Sequence, residues 1–264
     1  MNGQVAIVTG AGRGFGRSIA LRFAAEGAAV TVTARTQSEI DQTVAEIVSQ
    51  GGRAQAIAGS VGVATDVDRV VRATVASYGP VTVMVNNAAN LGAIGRLDEV
   101  NADDWWTAQT INLFGSVLYM QAVIPEMRRR KAGRIINIAS ASALHSSPLM
   151  SAYGVSKWAL MRLTETVAEE VCEDGIAAFS IEPGQLRTKM SEESLASTVL
   201  HTLAPKDIEN FERALACQDP EKVAADCAQR CVDLAAGPYF ALSGRFLQPG
   251  DDLDKLVLEA SHQS

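Results

Sequence analysis

The chain has 264 residues, of which 47% are hydrophobic and 20% are charged, and these proportions exclude a disordered, collagen-like or coiled-coil chain. The net charge of −7 and the pI near 5.1 argue against nucleic acid and anionic membranes as partners. No apolar run approaches the roughly 18 residues that a membrane-spanning helix needs.

Short β-rich runs alternate with longer helical segments up to residue 184. The predicted strands cover residues 5–10, 28–34, 53–58, 81–89, 134–140 and 176–184. The predicted helices cover residues 17–27, 39–50, 66–78, 103–131 and 152–174. This alternation predicts a doubly wound α/β fold, with one Rossmann-type parallel sheet and helices on both faces. The strands are continuously apolar, as expected of parallel strands that are buried on both sides.

The pattern weakens beyond residue 184. Residues 188–218 are polar and mixed without a strand pattern, whereas residues 219–236 predict a helix and residues 243–250 a last short strand. No linker or shift in composition marks a domain boundary. We therefore expect residues 1–264 to form a single domain.

The N-terminus and the cysteines favour a cytoplasmic protein. The segment MNGQVAIVTG has no basic region before its apolar strand, so we expect no signal peptide. The cysteines contain no CxxC pair, which is typical of reduced thiols. Cys227 and Cys231 stand four residues apart on a predicted helix, but a zinc site needs two further ligands nearby. We expect no metal.

A glycine-rich loop, TGAGRGFG at residues 9–16, lies between the first strand and the first helix. Glycines let the backbone turn tightly and approach a pyrophosphate, whose charge then meets the helix N-terminus. The literal GxGxxG pattern is missing, because Phe15 and Arg17 occupy the third glycine position in its two registers. The place of the loop after the first strand still predicts a dinucleotide site. The alternative is a tight turn without a ligand.

The end of the second strand predicts NADP(H) in preference to NAD(H). A site for NAD usually has an acidic residue about twenty positions after the loop, but residues 27–38 contain none. Arg35 and Arg13 instead suit the 2′-phosphate of NADP. Charge-assisted hydrogen bonds contribute roughly 1.5–3 kcal/mol each, so two arginines predict a preference of about 100-fold or more. The alternative is that either arginine is a solvated surface charge.

Tyr153 and Lys157 stand at i and i+4 of a predicted helix, so their side chains share one face. A tyrosine with a pKa near 10 exchanges protons poorly at neutral pH, and a neighbouring ammonium lowers that pKa. Lowering it to about 7 takes about 4 kcal/mol of differential interaction. Without further support, a surface pair of no function is the simpler interpretation.

Further support comes from six motifs, which together resemble the short-chain dehydrogenase/reductase family. They occur in the order and with the spacing of that family, and the resemblance covers roughly residues 4–188. The motifs are TGAGRGFG, NNAA at residues 86–89, Asn112, Ser140, YGVSK at residues 153–157 and PGQLRT at residues 183–188.

The resemblance implies a catalytic role for four side chains. Tyr153 would be the general acid in reduction and the general base in oxidation. Lys157 would lower the pKa of Tyr153 and bind the ribose next to the nicotinamide. Ser140 would hydrogen-bond the substrate oxygen, and Asn112 would hold a water in a proton relay to Lys157.

The resemblance also implies contacts with the cofactor and the substrate. The expected cofactor contacts are Gly10, Arg13, Gly14, Phe15, Gly16, Arg35, Ser60, Val61, Asn87, Ala88, Tyr153, Lys157, Pro183, Gly184, Leu186 and Thr188. The expected substrate contacts are Ser140, His145, Tyr153 and Met190. We expect a segment near residues 188–218 to cover the substrate.

The chain departs from the family pattern in three places. Ala89 replaces the glycine of the family's NNAG. Ser60 and Val61 stand where an aspartate and a hydrophobic residue usually meet the adenine. The ending SGRFLQPGDDLDKL replaces a glycine-rich ending, which puts the last strand and the subunit contacts in doubt.

These observations predict an NADP(H)-dependent oxidoreductase that interconverts a ketone and a secondary alcohol. The alternatives are an NAD(H)-using alcohol dehydrogenase of the same family and a non-catalytic dinucleotide sensor. A serine hydrolase is disfavoured because GxSxG is missing. The resemblance implies a homotetramer or homodimer, for which Trp105, Trp106 and the outer face of the helix with Tyr153 are candidate contacts.

Overall fold

The strands form one parallel sheet in the computed structural model, which describes residues 1–261. The strands are β1 (Val5–Thr9), β2 (Ala29–Thr33), β3 (Arg53–Ala56), β4 (Val83–Asn86), β5 (Gly133–Ile138), β6 (Ile176–Ile181) and β7 (Phe246–Leu247). Their order across the sheet is β3-β2-β1-β4-β5-β6-β7, and each pair of neighbours is parallel. The predicted doubly wound sheet is confirmed.

Helices connect and follow these strands. They are α1 (Gly14–Ala25), α2 (Gln37–Ser49), α3 (Ala64–Tyr78), α4 (Ala102–Gln109), α5 (Gly115–Arg130), α6 (Ser151–Val171), α7 (Lys189–Leu195), α8 (Thr198–Leu203), α9 (Pro205–Ala216), α10 (Pro220–Ala236) and α11 (Leu253–Ser261). The predicted helix at residues 103–131 is divided, because a π-helical turn at Thr110–Phe114 joins α4 to α5. The sequence pattern misses α11.

The two faces of the sheet pack against different helices. Val8 of β1 belongs to an apolar cluster with Phe23 of α1 and Cys231 of α10. The neighbouring Ile7 points to the other side, into a cluster with Tyr119 of α5. Successive strand residues are therefore both buried, because both faces of the sheet are covered.

Residues 188–218, which lack a strand pattern, form the three short helices α7, α8 and α9. Thr188 begins α7 with a capping box, in which its hydroxyl accepts from the Ser191 N–H at 3.3 Å. The Ser191 hydroxyl accepts in return from the Thr188 N–H at 2.7 Å. Pro205 opens α9 in the first helical turn, where a missing N–H costs nothing. These caps explain how a mixed segment becomes ordered.

Residues 1–261 contain a pair of buried cysteines on one helix. Cys227 and Cys231 are both buried in α10, and no group of three or more potential metal ligands occurs in this part of the chain. None of the helices over the same residues combines the length and apolarity that crossing a bilayer requires.

Candidate active site

The carboxyl ends of β1, β4, β5 and β6 border a cavity of about 720 Å³. From β1 the chain continues to β2, toward one edge of the sheet, and from β4 it continues to β5, toward the opposite edge. The crevice between β1 and β4 is therefore a topological switch point, where parallel α/β sheets bind ligands. Met190 of α7, Leu200 of α8 and Phe211 of α9 line the same cavity, so the segment 188–218 contributes to its wall.

The glycine loop forms a cradle that side chains would fill. Gly10 and Gly14 adopt φ values of +63° and +56°, a region that favours glycine. A Cβ on Gly16 would lie 2.6 Å from the carbonyl oxygen of Gly10 and would also strike the Asn87 amide. Arg13 precedes α1 without capping it, which leaves the first N–H groups of α1 available. The cradle therefore fits a pyrophosphate.

Asn87 ties the end of β4 to this loop. Its Nδ2 donates to the carbonyl oxygens of Thr9 at 2.8 Å and Gly10 at 3.2 Å. The Thr9 hydroxyl accepts from the backbone N–H groups of Asn87 at 2.9 Å and Ala88 at 3.0 Å. Thr9 begins the glycine motif, although the sequence analysis assigned it no contact. These bonds hold the floor of the crevice in one arrangement.

Ser60 and Val61 line the cavity, and an aspartate from the next helix supports them. The Asp66 carboxylate accepts from the Ser60 N–H at 2.9 Å, and its other oxygen contacts Arg69 at 2.6 Å. The Ser60 N–H and the Arg69 guanidinium hold the pKa of Asp66 below its usual range. Asp66, which is not among the predicted site residues, thus holds the backbone of Ser60 at the cavity wall.

The two predicted phosphate ligands differ in their surroundings. Arg13 and Arg35 both line the cavity. Arg13 Nη1 lies 2.9 Å from Glu39 Oε1 of α2, and Glu39 follows directly after the acid-free stretch at residues 27–38. Arg35 is exposed and has no acidic partner among the described residues. The basic site predicted from the sequence therefore contains one paired and one unpaired arginine.

Tyr153 and Lys157 of α6 both face the cavity. Lys157 is 2% exposed, and its Nζ donates to the carbonyl oxygen of Ile138 at 2.6 Å. The same Nζ lies 5.7 Å from the centre of the Tyr153 ring. Burial raises the pKa of Tyr153 to about 12, a shift that a hydrogen bond to Ser140 opposes. Burial also lowers the pKa of Lys157 to about 8.

Burial outweighs the predicted lowering of the Tyr153 pKa, so the net shift of that pKa is upward. Removing a phenol from water disfavours the phenolate, and this effect is the largest influence on Tyr153. The ammonium of Lys157 pays a similar penalty and is bonded to a backbone carbonyl, not to the phenol.

Asn112 is buried in the π-helical turn and is not one of the residues that line the cavity. Its Nδ2 donates to the Asn90 carbonyl oxygen at 2.9 Å and to the Ser156 hydroxyl at 2.8 Å. Its Oδ1 accepts from the Asn90 N–H at 2.8 Å. The extra residue of a π turn changes the direction of a side chain relative to a regular helix. Asn112 thus links the loop after β4 to α6 through Ser156, which directly precedes Lys157 in the sequence.

Ser140 follows β5, and its hydroxyl accepts from Ser142 N–H at 3.2 Å and Ser142 Oγ at 2.9 Å. Across the sheet edge, the Glu182 carboxylate accepts from the backbone N–H groups of Ala141 and Gly184. Glu182 lines the cavity beside Ser140. It was not among the predicted site residues, although its position directly after a strand was a signal.

Most of the predicted contact residues line this cavity. They are Gly10, Arg13, Gly14, Phe15, Arg35, Ser60, Val61, Asn87, Ala88, Ser140, Tyr153, Lys157, Pro183, Gly184, Leu186, Thr188 and Met190. Gly16 lies under the Asn87 amide, and Asn112 is buried and is not one of the lining residues. His145, a predicted substrate contact, is exposed and does not belong to the cavity wall, because the short 3-10 helix Ala141–Leu144 carries it outward.

A model of the short chain dehydrogenase family matches residues 4–198, the part of the chain that carries the cradle, Ser140, Tyr153 and Lys157. The chain belongs to the short-chain dehydrogenase family. Members of this family bind NAD(P)(H), and this short-chain dehydrogenase is an NAD(P)-dependent oxidoreductase.

Curated relatives and a solved structure agree with this assignment. The 3-oxoacyl-acyl-carrier-protein reductase of Synechocystis sp. is 35% identical over 201 residues, which are 76% of this chain and 81% of that protein. The dehydrogenase/reductase SDR family member 4 of Homo sapiens is 36% identical over 188 residues, which are 71% of this chain and 68% of that protein. The NAD+-bound xylitol dehydrogenase structure has a TM-score of 0.83 at 26% identity, over 94% of this chain and 97% of that chain.

The buried Lys157 predicts a pH-dependent contribution to stability. Its pKa is about 8 in the folded protein, against the ordinary 10.5. Between these values the unfolded chain binds more protons, so stability from this group is lowest at low pH and rises as the pH rises. From about pH 7.5 to about pH 10, the free energy of unfolding of the wild type should rise by about 2 kcal/mol relative to Lys157→Met.

Urea denaturation at each pH measures this difference. Lys206→Met in α9 is the matched control, because Lys206 is exposed, and its difference from the wild type should not change with pH. A constant or falling difference for Lys157→Met would contradict the proposed burial effect.

Proposed function

We propose that this short-chain dehydrogenase interconverts a ketone and a secondary alcohol with NADP(H), using Tyr153 as general acid and base. The observation that carries the proposal is that Tyr153 and Ser140 line the same cavity as the glycine cradle. When bound, the dinucleotide supplies or accepts the hydride. The chain's own residues then have to orient the reactants and transfer one proton.

Tyr153 is protonated at neutral pH, because burial raises its pKa to about 12. That is the state in which a general acid donates a proton to the oxygen of a carbonyl substrate. The Ser140 hydroxyl would donate to the same oxygen and stabilise the charge that develops there. In the oxidation direction, the phenolate form of Tyr153 would accept the proton of the alcohol.

Lys157 and Asn112 would support this proton transfer. The Lys157 ammonium stabilises negative charge on the phenol after the proton has left, and the same side chain would hold ribose hydroxyls of the dinucleotide. The proposed role of Asn112 is to hold a water in a relay to Lys157. Its Nδ2 already donates to Asn90 and Ser156, so the water would have to bind an acceptor of Asn112 and not its amide hydrogens.

The mechanism predicts that Tyr153→Phe lowers turnover by at least about 100-fold, because the proton donor is lost. Binding of NADPH, measured by fluorescence titration, should remain within about twofold, since the ring is kept. Tyr239→Phe is the matched control, because the Tyr239 hydroxyl instead contacts Asp254 at 3.1 Å. Full activity of Tyr153→Phe would reject the mechanism. Dinucleotide binding by the wild type with no turnover on any carbonyl or alcohol would favour the sensor.

The preference for NADP(H) is supported by the two arginines at the cradle. Arg35 is exposed at the cavity edge and free to meet a 2′-phosphate, whereas Arg13 shares its charge with Glu39. The second candidate is NAD(H). It is favoured by the carboxylate of Glu39 at this end of the cavity and by the NAD+ in the related xylitol dehydrogenase structure.

The preference predicts tighter binding of NADPH than of NADH by the wild type. Arg35→Ala should weaken NADPH binding by about tenfold or more, because one charge-assisted hydrogen bond is lost. Arg13→Ala should weaken it less, because the Arg13 guanidinium is already paired. Fluorescence titrations with both dinucleotides measure these effects, with the exposed Arg72→Ala as control. Tighter binding of NADH by the wild type would contradict the preference.

The wall formed by residues 188–218 supports a medium-sized, partly apolar substrate. Met190, Leu200, Ile208 and Phe211 line the cavity, and Asp207 adds one charge to the same wall. A panel of ketones and alcohols, followed by NADPH absorbance, would define the substrate class and the direction of the reaction.

We also propose that the protein acts in the cytoplasm as a homodimer or homotetramer. Trp106 of α4 and Trp158 of α6 are 64% and 54% exposed, and each is an apolar side chain that a subunit contact would bury. Trp105, in contrast, is engaged within the chain, because its Nε1 donates to Ser151 Oγ at 3.0 Å. The acidic net charge of −7 supports the absence of nucleic-acid and membrane partners.

Light scattering should therefore return a mass of at least twice the 27.9 kDa of one chain. Trp158→Glu should shift the protein toward the monomer, because a charge cannot be buried cheaply at an apolar contact. Val48→Glu is the control, since Val48 is an exposed apolar residue of α2. A wild-type mass equal to one chain would reject the proposal.

A further inference from the structure

Glu182 is a carboxylate in the cavity to which the proposed mechanism assigns no role. It follows β6 directly, and its backbone N–H donates to the Leu247 carbonyl oxygen at 2.9 Å. Its side chain is half-buried and lines the cavity. One carboxylate oxygen accepts from the Ala141 N–H, and the other accepts from the Gly184 N–H at 3.2 Å. The side chain therefore joins the loop after β5 to the turn after β6.

The groups that face Glu182 from the neighbouring elements are side chains to which the proposed mechanism assigns a role. The Ser140 hydroxyl, after β5, lies in the same cavity wall and close enough to both the Glu182 carboxylate and the Tyr153 phenol to influence their pKa values. Tyr153 and Lys157 face it from α6 as the two titratable groups that interact with its charge. A single hydroxyl thus lies between a carboxylate and the proposed proton donor.

We propose that Glu182 is a positioning residue, which holds the Ser140 loop against the Gly184 turn and places a negative charge that keeps the proton on Tyr153. The inference rests on the proposed function, because it concerns the tyrosine to which that function assigns the proton transfer. Its consequence is a bias in direction. Carbonyl reduction needs the protonated phenol, and alcohol oxidation needs the phenolate.

The physical basis is the repulsion between a carboxylate and a phenolate. The charge of Glu182 raises the pKa of Tyr153, in addition to the larger effect of burial. It also raises the pKa of Lys157, against the larger lowering by burial. Since burial brings the pKa of Lys157 to about 8, Lys157 is largely neutral well above that pH. A titration of the Tyr153 phenol in the alkaline range therefore reports the effect of the Glu182 charge on that phenol.

Glu182→Gln tests the proposal, because it removes the charge and retains an oxygen acceptor. Protein labelled with 13C at tyrosine Cζ is titrated by NMR from about pH 9 to about pH 12.5, a range that includes the pKa of Tyr153 at about 12. The chain has four tyrosines, and the signal of Tyr153 is the one that disappears in Tyr153→Phe. We expect the pKa of Tyr153 to fall by about one pH unit in Glu182→Gln. An unchanged or higher pKa would overturn the proposal.

Two controls separate charge from structure. Glu182→Asp keeps the charge and should leave the pKa of Tyr153 near that of the wild type. Glu169→Gln removes an equal charge from the exposed face of α6 and should have no effect. If Glu182→Gln does not fold, as judged by circular dichroism, Glu182→Thr supplies a neutral variant with a hydroxyl acceptor.

A kinetic readout distinguishes this inference from the proposed function. The alkaline rise of alcohol oxidation should move to lower pH in Glu182→Gln by the same amount as the NMR midpoint. A wild type without turnover would contradict the proposed function, whereas the NMR titration would still decide the role of Glu182. An NMR midpoint that does not move in an active enzyme would overturn the role of Glu182 alone.

Discussion

The hydrogen bonds from the Asn87 amide to the carbonyl oxygens of Thr9 and Gly10 hold the crevice on which the site depends. They join β1 to β4 at the point where the order of the strands reverses. Gly16 has to lack a side chain because it packs under the same amide. The cradle, the first turn of α1 and the end of β4 thus form one rigid unit, against which the catalytic side chains of α6 are placed.

Burial, and not pairing, dominates the electrostatics at the catalytic end of the cavity. It moves the pKa of Tyr153 up and that of Lys157 down, so each group is biased toward its neutral form. Burial also raises the pKa of Glu182, while two backbone N–H groups and Lys157 lower it. Three titratable groups in one partly dry site are coupled, so a change in one alters the others.

The cofactor end of the cavity depends on exposed charges instead. Arg13 and Glu39 are both partly accessible to solvent, so their pair contributes little to stability. Its importance lies in competition, because a phosphate that binds Arg13 has to share the guanidinium with Glu39. Arg35 is free of such competition among the described residues. Selectivity between the two dinucleotides is therefore a balance of a few local charges.

Local patterns in the chain suffice to predict the alternation of strands and helices up to residue 184, the glycine loop, and the shared face of Tyr153 and Lys157. These features follow from local rules, namely apolar periodicity, the conformational freedom of glycine and the helical repeat. Tertiary structure alone decided the π-helical turn at Asn112, the pairing of Arg13 with Glu39 and the contact of Ser140 with Glu182. It also decided the burial that raises the pKa of Tyr153. The physical reason is that desolvation and hydrogen-bond partners come from segments distant in the chain, which no local pattern records.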